Sequence, residues 1–118
     1  MELVCFQGLD KNNWAQINAL IKRGNWDKII ILKNEETEDF QTPENCAIIP
    51  INTNFPLIEL KTEIINKLKP LLSKEFEVAL SIASGSGKEH MALISALLSI
   101  PVGIRLAAFT KNGVAFIN

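Results

Sequence analysis

The chain has 118 residues, 47% of them hydrophobic and 21% charged, with a formal net charge of −1. That balance fits one folded domain with a real core and excludes a disordered or low-complexity chain. It also supplies no global basic field for duplex DNA, and no apolar run is long enough to span a membrane, so a cytoplasmic protein is expected.

The opening run "ELVCF" (2–6) reads as a short strand, and "QGLDKNN" after it as a turn-rich loop. Trp14, Ile17, Leu20 and Ile21 then repeat at helical spacing, with Asp10 or Asn12 as the cap and Gly24 past the end. "DKIIILK" (27–33) is a continuous β-branched run, the pattern of a strand buried on both faces. The acidic stretch "NEETEDFQTPEN" (34–45) reads as a solvated loop or a frayed helix. "CAIIPIN" (46–52) is a third strand, whose Pro50 belongs at an edge or a strand exit. Cys5 and Cys46 lie in strand-like runs with neither CxxC spacing nor a nearby histidine. They read as free thiols of a reducing compartment, and neither a metal nor another cofactor is expected.

"PLIELKTEIINKLKPLL" (56–72) is an amphipathic helix with Pro56 in its first turn and Pro70 ending or bending it. "FEVALSI" (76–82) is the fourth strand, and "GKEHMALISALLSI" (87–100) a helix that is apolar almost all round. "GIRLAAF" and "GVAFIN" form a closing hairpin, with Asn112–Gly113 as its turn. The expected fold is therefore α/β: a Rossmann-like, mainly parallel sheet of about six strands with a C-terminal β-hairpin and helices on both faces, all in one domain, 1–118. A helix apolar on every side needs a second cover, and a second copy of the chain is expected to provide it.

Ligands of such sheets bind beyond the carboxyl ends of the strands. Three loops lie there, and "ASGSGK" (83–88) is chemically the richest. A strict P-loop is excluded, because its first glycine would fall on Ile82 and its hydroxyl residue on Glu89. An anion cradle remains: Gly85 and Gly87 let backbone N–H groups face a ligand, Ser84 and Ser86 add hydroxyls, and Lys88 adds charge at a helix N-terminus. Gln7, Gly8 and Asn52, at the exits of the first and third strands, complete the candidate binding set. The competing reading is a glycine-rich turn with serine caps and a surface lysine. Were the site catalytic, Lys88 would stabilise developing charge and His90, the single histidine, would be the remaining acid or base.

The segment "VALSIASGSGKEHMALISALLSIPVGIRLA" resembles the signature segment of the CRISPR-associated Rossmann-fold (CARF) domains. These carry a strand, then Asp/Asn-x-Ser/Thr-x-x-x-Lys/Arg, then a small-residue-rich apolar helix. Ser84 matches the hydroxyl position and Lys88 the basic one; Ile82 stands where the family often has Asp or Asn. The opening "LVCFQGLDKNNWAQINALIK" is similar to that family's first strand–loop–helix unit. The resemblance implies a homodimer that binds a cyclic oligoadenylate or a related phosphorylated nucleotide, as an antiviral-defence sensor or a metal-independent ring nuclease. With Ile82 apolar and no further polar groups to hand, binding without fast cleavage is the expectation. The alternative is a non-catalytic interaction subunit whose turn is purely structural.

Overall fold

A computed structural model describes residues 1–38, 42–72 and 76–118. Six strands and three helices alternate along the chain: β1 (Glu2–Gln7), α1 (Trp14–Arg23), β2 (Lys28–Asn34), β3 (Cys46–Ile51), α2 (Leu57–Leu68), β4 (Glu77–Ser81), α3 (Gly87–Ser99), β5 (Gly103–Thr110) and β6 (Gly113–Phe116). A single 3-10 turn (Lys11–Asn13) precedes α1. The strands form one sheet in the order β3-β2-β1-β4-β5-β6, parallel except for the β5–β6 hairpin. The expected α/β architecture is the one observed.

Residue parity assigns the two faces. Val4 and Phe6 of β1, Ile30 and Leu32 of β2 and Leu80 of β4 pack with Leu60, Ile64 and Leu68 of α2 and Ala92, Leu93, Ala96 and Leu97 of α3. Their sequence neighbours Leu3, Cys5, Ile29, Ile31 and Ala79 point the other way, onto Ile17, Leu20 and Ile21 of α1. The helices thus lie on both faces, and every residue of β1 is buried. This is why the "DKIIILK" run needs no alternation: β2 is covered on both sides.

The described part of the acidic stretch beyond β2 is a loop, exposed at Glu35, Glu36, Glu38, Pro43, Glu44 and Asn45. Thr37 is buried, and its carbonyl accepts from Lys33 Nζ. Farther on, Thr42 and Pro43 line a groove with Ile21 and Lys22 of α1. The parallel β2–β3 connection therefore runs beside α1 where a second helix would otherwise lie; its residues 39–41 fall outside the described residues. Pro50 does sit on an edge strand, as its missing N–H requires.

Gly24 caps the end of α1 as expected, but in an extended conformation. Its φ is −81°, so it is not a left-handed cap. It is glycine because a Cβ there would lie 2.1 Å from the Trp26 indole nitrogen, which donates to Leu20 O at 2.8 Å. Cys5 is buried and Cys46 partly so, and neither forms a disulfide. Burial pushes both thiols above their ordinary pKa.

Helix α3 is less in need of a partner than its composition implies. The sheet and α2 together cover Ala92, Leu93, Ala96 and Leu97, leaving Met91 (59% exposed) and Leu98 (63%) on the outside. Ile64 is the fully buried anchor at the middle of α2. Ile64→Ala should cost about 2–5 kcal/mol through lost burial and an unfilled cavity. A shift of the urea midpoint at unchanged m-value would measure it.

Candidate functional site

From β1 the chain turns towards β2, and from β4 towards β5, so strand order reverses between β1 and β4. The loops leaving these two strands part to opposite faces of the sheet, one to α1 and the other to α3. Beyond their carboxyl ends lies a cleft of about 260 Å³, lined by Gly8, Leu9, Asp10, Asn13, Gly85, Ser86 and Glu89. Sheets of this topology place ligands at such a reversal.

One residue unites the two loops. The N–H of Gly8 donates to Ser84 Oγ at 2.9 Å, and the Gly8 carbonyl accepts from Trp14 Nε1 at 2.8 Å. Ser84 is 1% exposed, so its hydroxyl is a clamp between loops and not a group displayed to solvent. The backbones approach too closely for a side chain: a Cβ on Gly8 would stand 2.6 Å from Gly85 N and 2.8 Å from Gly85 Cα. Gly85 itself has φ +107°, a conformation open to glycine and strained for other residues. The close approach thus requires the glycine at 8, while the glycine at 85 is required by its own dihedral, with His90 Nε2 and Phe6 Cδ1 each 3.0 Å from where its Cβ would stand.

The start of α3 is a capping box. Ser86 Oγ accepts from Glu89 N at 3.2 Å, and Glu89 Oε1 accepts from Ser86 N at 2.7 Å. Among the described residues the N–H groups of Gly87 and Lys88 have no acceptor, which leaves two donors and the positive end of the helix dipole facing outwards. Lys88 reaches to the loop after β3, where Nζ donates to Thr53 O at 2.9 Å. A carbonyl leaves the ammonium charge uncompensated, so Lys88 remains a cation beside the helix start. His90 turns inward and binds Ser84 O through Nε2 at 2.7 Å. That contact makes Nε2 a donor and fixes the carbonyl on the far side of Gly85.

The residues singled out from sequence therefore divide. Gly8, Gly85 and Ser86 line the cleft, and Gly87 and Lys88 stand at its helix end. Ser84 and His90 brace the loop from within. Gln7 is buried (1% exposed) and gives Nε2 to Glu38 O at 2.7 Å, away from the cleft lining. Asn52 closes a local turn, its Oδ1 accepting from Asn54 N at 3.0 Å. Leu9, Asp10, Asn13 and Glu89 are lining residues that sequence reasoning passed over as loop, cap or first-turn residues. Asp10 does cap, but it caps the 3-10 turn, with Oδ1 taken by Asn12 N. Its position at a strand exit was the one available signal.

Comparison with family models, with curated proteins and with solved structures gave no match.

The two clamp positions should separate in stability. Ser84→Ala strands the buried Gly8 N–H and should cost about 1–3 kcal/mol. Gly8→Ala forces two backbones apart and should cost more. Chemical denaturation of both variants checks the order; a Gly8→Ala protein within ~0.5 kcal/mol of the parent would contradict the close approach.

Proposed function

We propose that this chain is a non-catalytic, cytoplasmic ligand-binding domain whose switch-point cleft takes a phosphorylated nucleotide. A nucleotide unit of an oligoadenylate, cyclic or linear, is the specific candidate. The observation that carries the reading is the cleft between the β1 and β4 loops, closed at one end by the N-terminus of α3. There the free N–H groups of Gly87 and Lys88 and the Lys88 ammonium suit a phosphate. The Asp10 and Glu89 carboxylates would repel a phosphate placed deeper, but each keeps an oxygen free of the bonds described above. Asp10, in the loop after β1, offers its free oxygen to a ribose hydroxyl, a role that an acidic residue farther along the chain fills in dinucleotide-binding sheets. The ligand's charge is therefore oriented towards α3 and its sugar towards β1.

Size sets a further limit. Ligand pockets commonly measure roughly 300–1,000 Å³, so 260 Å³ holds one nucleotide unit and not a whole ring. A cyclic oligoadenylate would need the clefts of two copies, which agrees with the two-fold assembly that the CARF resemblance implies. Binding without cleavage is favoured because the single histidine, His90, is committed to Ser84 O and is absent from the cleft lining.

The same bonds favour a second reading. Ser84, Ser86, Glu89 and His90 all satisfy one another, as a purely structural turn in an interaction subunit would require. Titration discriminates the two. Cyclic tetra- and hexa-adenylate, linear oligoadenylate, AMP and ATP should be offered to the protein while melting temperature and heat are recorded. A nucleotide should raise the melting temperature with concentration, and chromatography should recover the cyclic compounds uncut. Lys88→Ala should weaken binding by about 1.5–3 kcal/mol at unchanged stability. If no nucleotide shifts the melting temperature at millimolar concentration, the nucleotide reading fails and the interaction subunit stands. Unchanged affinity in Lys88→Ala removes that lysine from the site.

A further inference from the structure

The outer edge of β6 carries an unsatisfied hydrogen-bonding pattern. In the hairpin, Ala115 opposes Ala108 and Gly113 opposes Thr110, and beyond it Ile117 N donates to Leu106 O at 2.8 Å. Residues 113, 115 and 117 therefore turn their backbone groups towards β5, and antiparallel alternation turns those of Val114 and Phe116 outwards. Among the described residues nothing accepts from or donates to these outward groups. The opposite side of β5 shows the contrast: there, past the end of β4, Phe109 N and O are both taken by the Gln16 side chain, at 3.0 and 2.8 Å.

Exposed edges are ordinarily blunted by a charge, a proline or a bulge. From Gly113 to Asn118 the side chains include no ionisable group and no proline, and the β5–β6 register runs without interruption. The flanking side chains are apolar and open: Phe116 is 41% exposed and Ile117 70%. Beside Val114 and Phe116 lies a groove of about 390 Å³, with Trp26, Met1 and Arg23 on its other walls.

We propose that this edge is a self-association surface, on which β6 of a second copy pairs antiparallel with β6 across a two-fold axis at Ala115. The pattern is self-complementary. Val114 faces the partner's Phe116 as a hydrogen-bonded pair, and the reciprocal pair repeats it, so the two outward residues of each strand are satisfied together. On the α1 face the partner's Phe116 stands beside Val114, at the mouth of the groove bounded by Trp26. No ionisable side chain of β6 meets its own copy across the axis. A second copy, unlike a foreign strand, is present at the protein's own concentration and brings this register with it. Two six-stranded sheets become one continuous sheet, and each copy keeps its own switch-point cleft. The axis reverses the strands of one copy relative to the other, so the two clefts open at opposite ends of the continuous sheet, and this pairing is a separate contact from one that would bring two clefts onto one ring.

The test is a cross-link at the axis. Across an antiparallel non-hydrogen-bonded pair the Cα atoms lie roughly 4.5 Å apart, within the range a disulfide spans. Ala115→Cys in a Cys46→Ser background, where buried Cys5 is the remaining thiol, should become a covalent dimer under mild oxidation; Asn112→Cys should form markedly less. Light scattering of the unmodified protein should show mass rising towards a dimer between micromolar and about 100 μM. Val114→Pro removes an outward N–H that β5 does not use, and should shift that transition at least tenfold upward in concentration while circular dichroism stays unchanged. Should Val114→Pro misfold, Phe116→Lys placed on the same edge gives the same readout. A monomer at 100 μM together with no preferential cross-link at position 115 overturns the proposal, as does a dimer that Val114→Pro and Phe116→Lys leave intact.

Discussion

The buried hydrogen bond from Gly8 N–H to Ser84 Oγ is the constraint on which the cleft between the β1 and β4 loops depends. It joins loops that leave β1 and β4 for opposite faces of the sheet, where the chain would otherwise splay apart. A hydroxyl oxygen can accept there only if the Gly8 and Gly85 backbones come close enough to forbid a Cβ. That approach demands glycine at position 8, and the chain reversal demands a positive φ at position 85. Trp14 holds the carbonyl of Gly8, and His90 holds the carbonyl of Ser84. Five residues from two loops and two helices thus fix one wall of the cleft. Rigid walls lower the ordering cost of binding, the usual advantage of a preformed site.

The economy of this arrangement limits its chemistry. A loop that satisfies its own serines, glutamate and histidine has few groups left to move protons. What remains outward is a helix N-terminus with two unsatisfied donors, a lysine hydrogen-bonded to a neutral carbonyl, and carboxylate oxygens on the facing loop. These can orient a charged ligand. The single histidine is not among them, because its imidazole is bonded to Ser84 O and does not line the cleft.

Much of this was legible in the sequence, for reasons that are local. The uninterrupted run over β2, the helical spacing of Ile17, Leu20 and Ile21, and the Asn112–Gly113 turn each follow from neighbours a few residues apart. The need for a positive φ at Gly85 was legible in the same way. The roles within the cleft were not, because they rest on partners far along the chain. Ser84 serves Gly8 across 76 residues, Lys88 meets Thr53 across 35, and Gln7 meets Glu38 across 31. A motif that looks outward in sequence can be spent inward once such pairings form. Gly24 illustrates the same point in the core: glycine there reads as a helix cap, yet the residue is dictated by the Trp26 indole lying against it.

The two ends of the sheet are protected unequally, and that inequality follows from topology. At the β3 end, Pro50 occupies the edge strand, where it has no N–H to offer a stranger, and Lys67 takes its carbonyl at 3.0 Å. At the other end the hairpin returns the chain along β5, and among the described residues nothing pairs with the outward side of β6. Asn118 partly mends the adjoining stretch, its side chain bonding Leu106 N at 2.6 Å and Ile104 O at 2.8 Å in imitation of another strand. That device extends the cover over β5, where Phe109 is likewise served by Gln16. It does nothing for the outward groups of Val114 and Phe116. A chain that twice uses an amide side chain to satisfy β5, yet leaves β6 apolar and unguarded, concentrates its capacity for strand addition at that one edge.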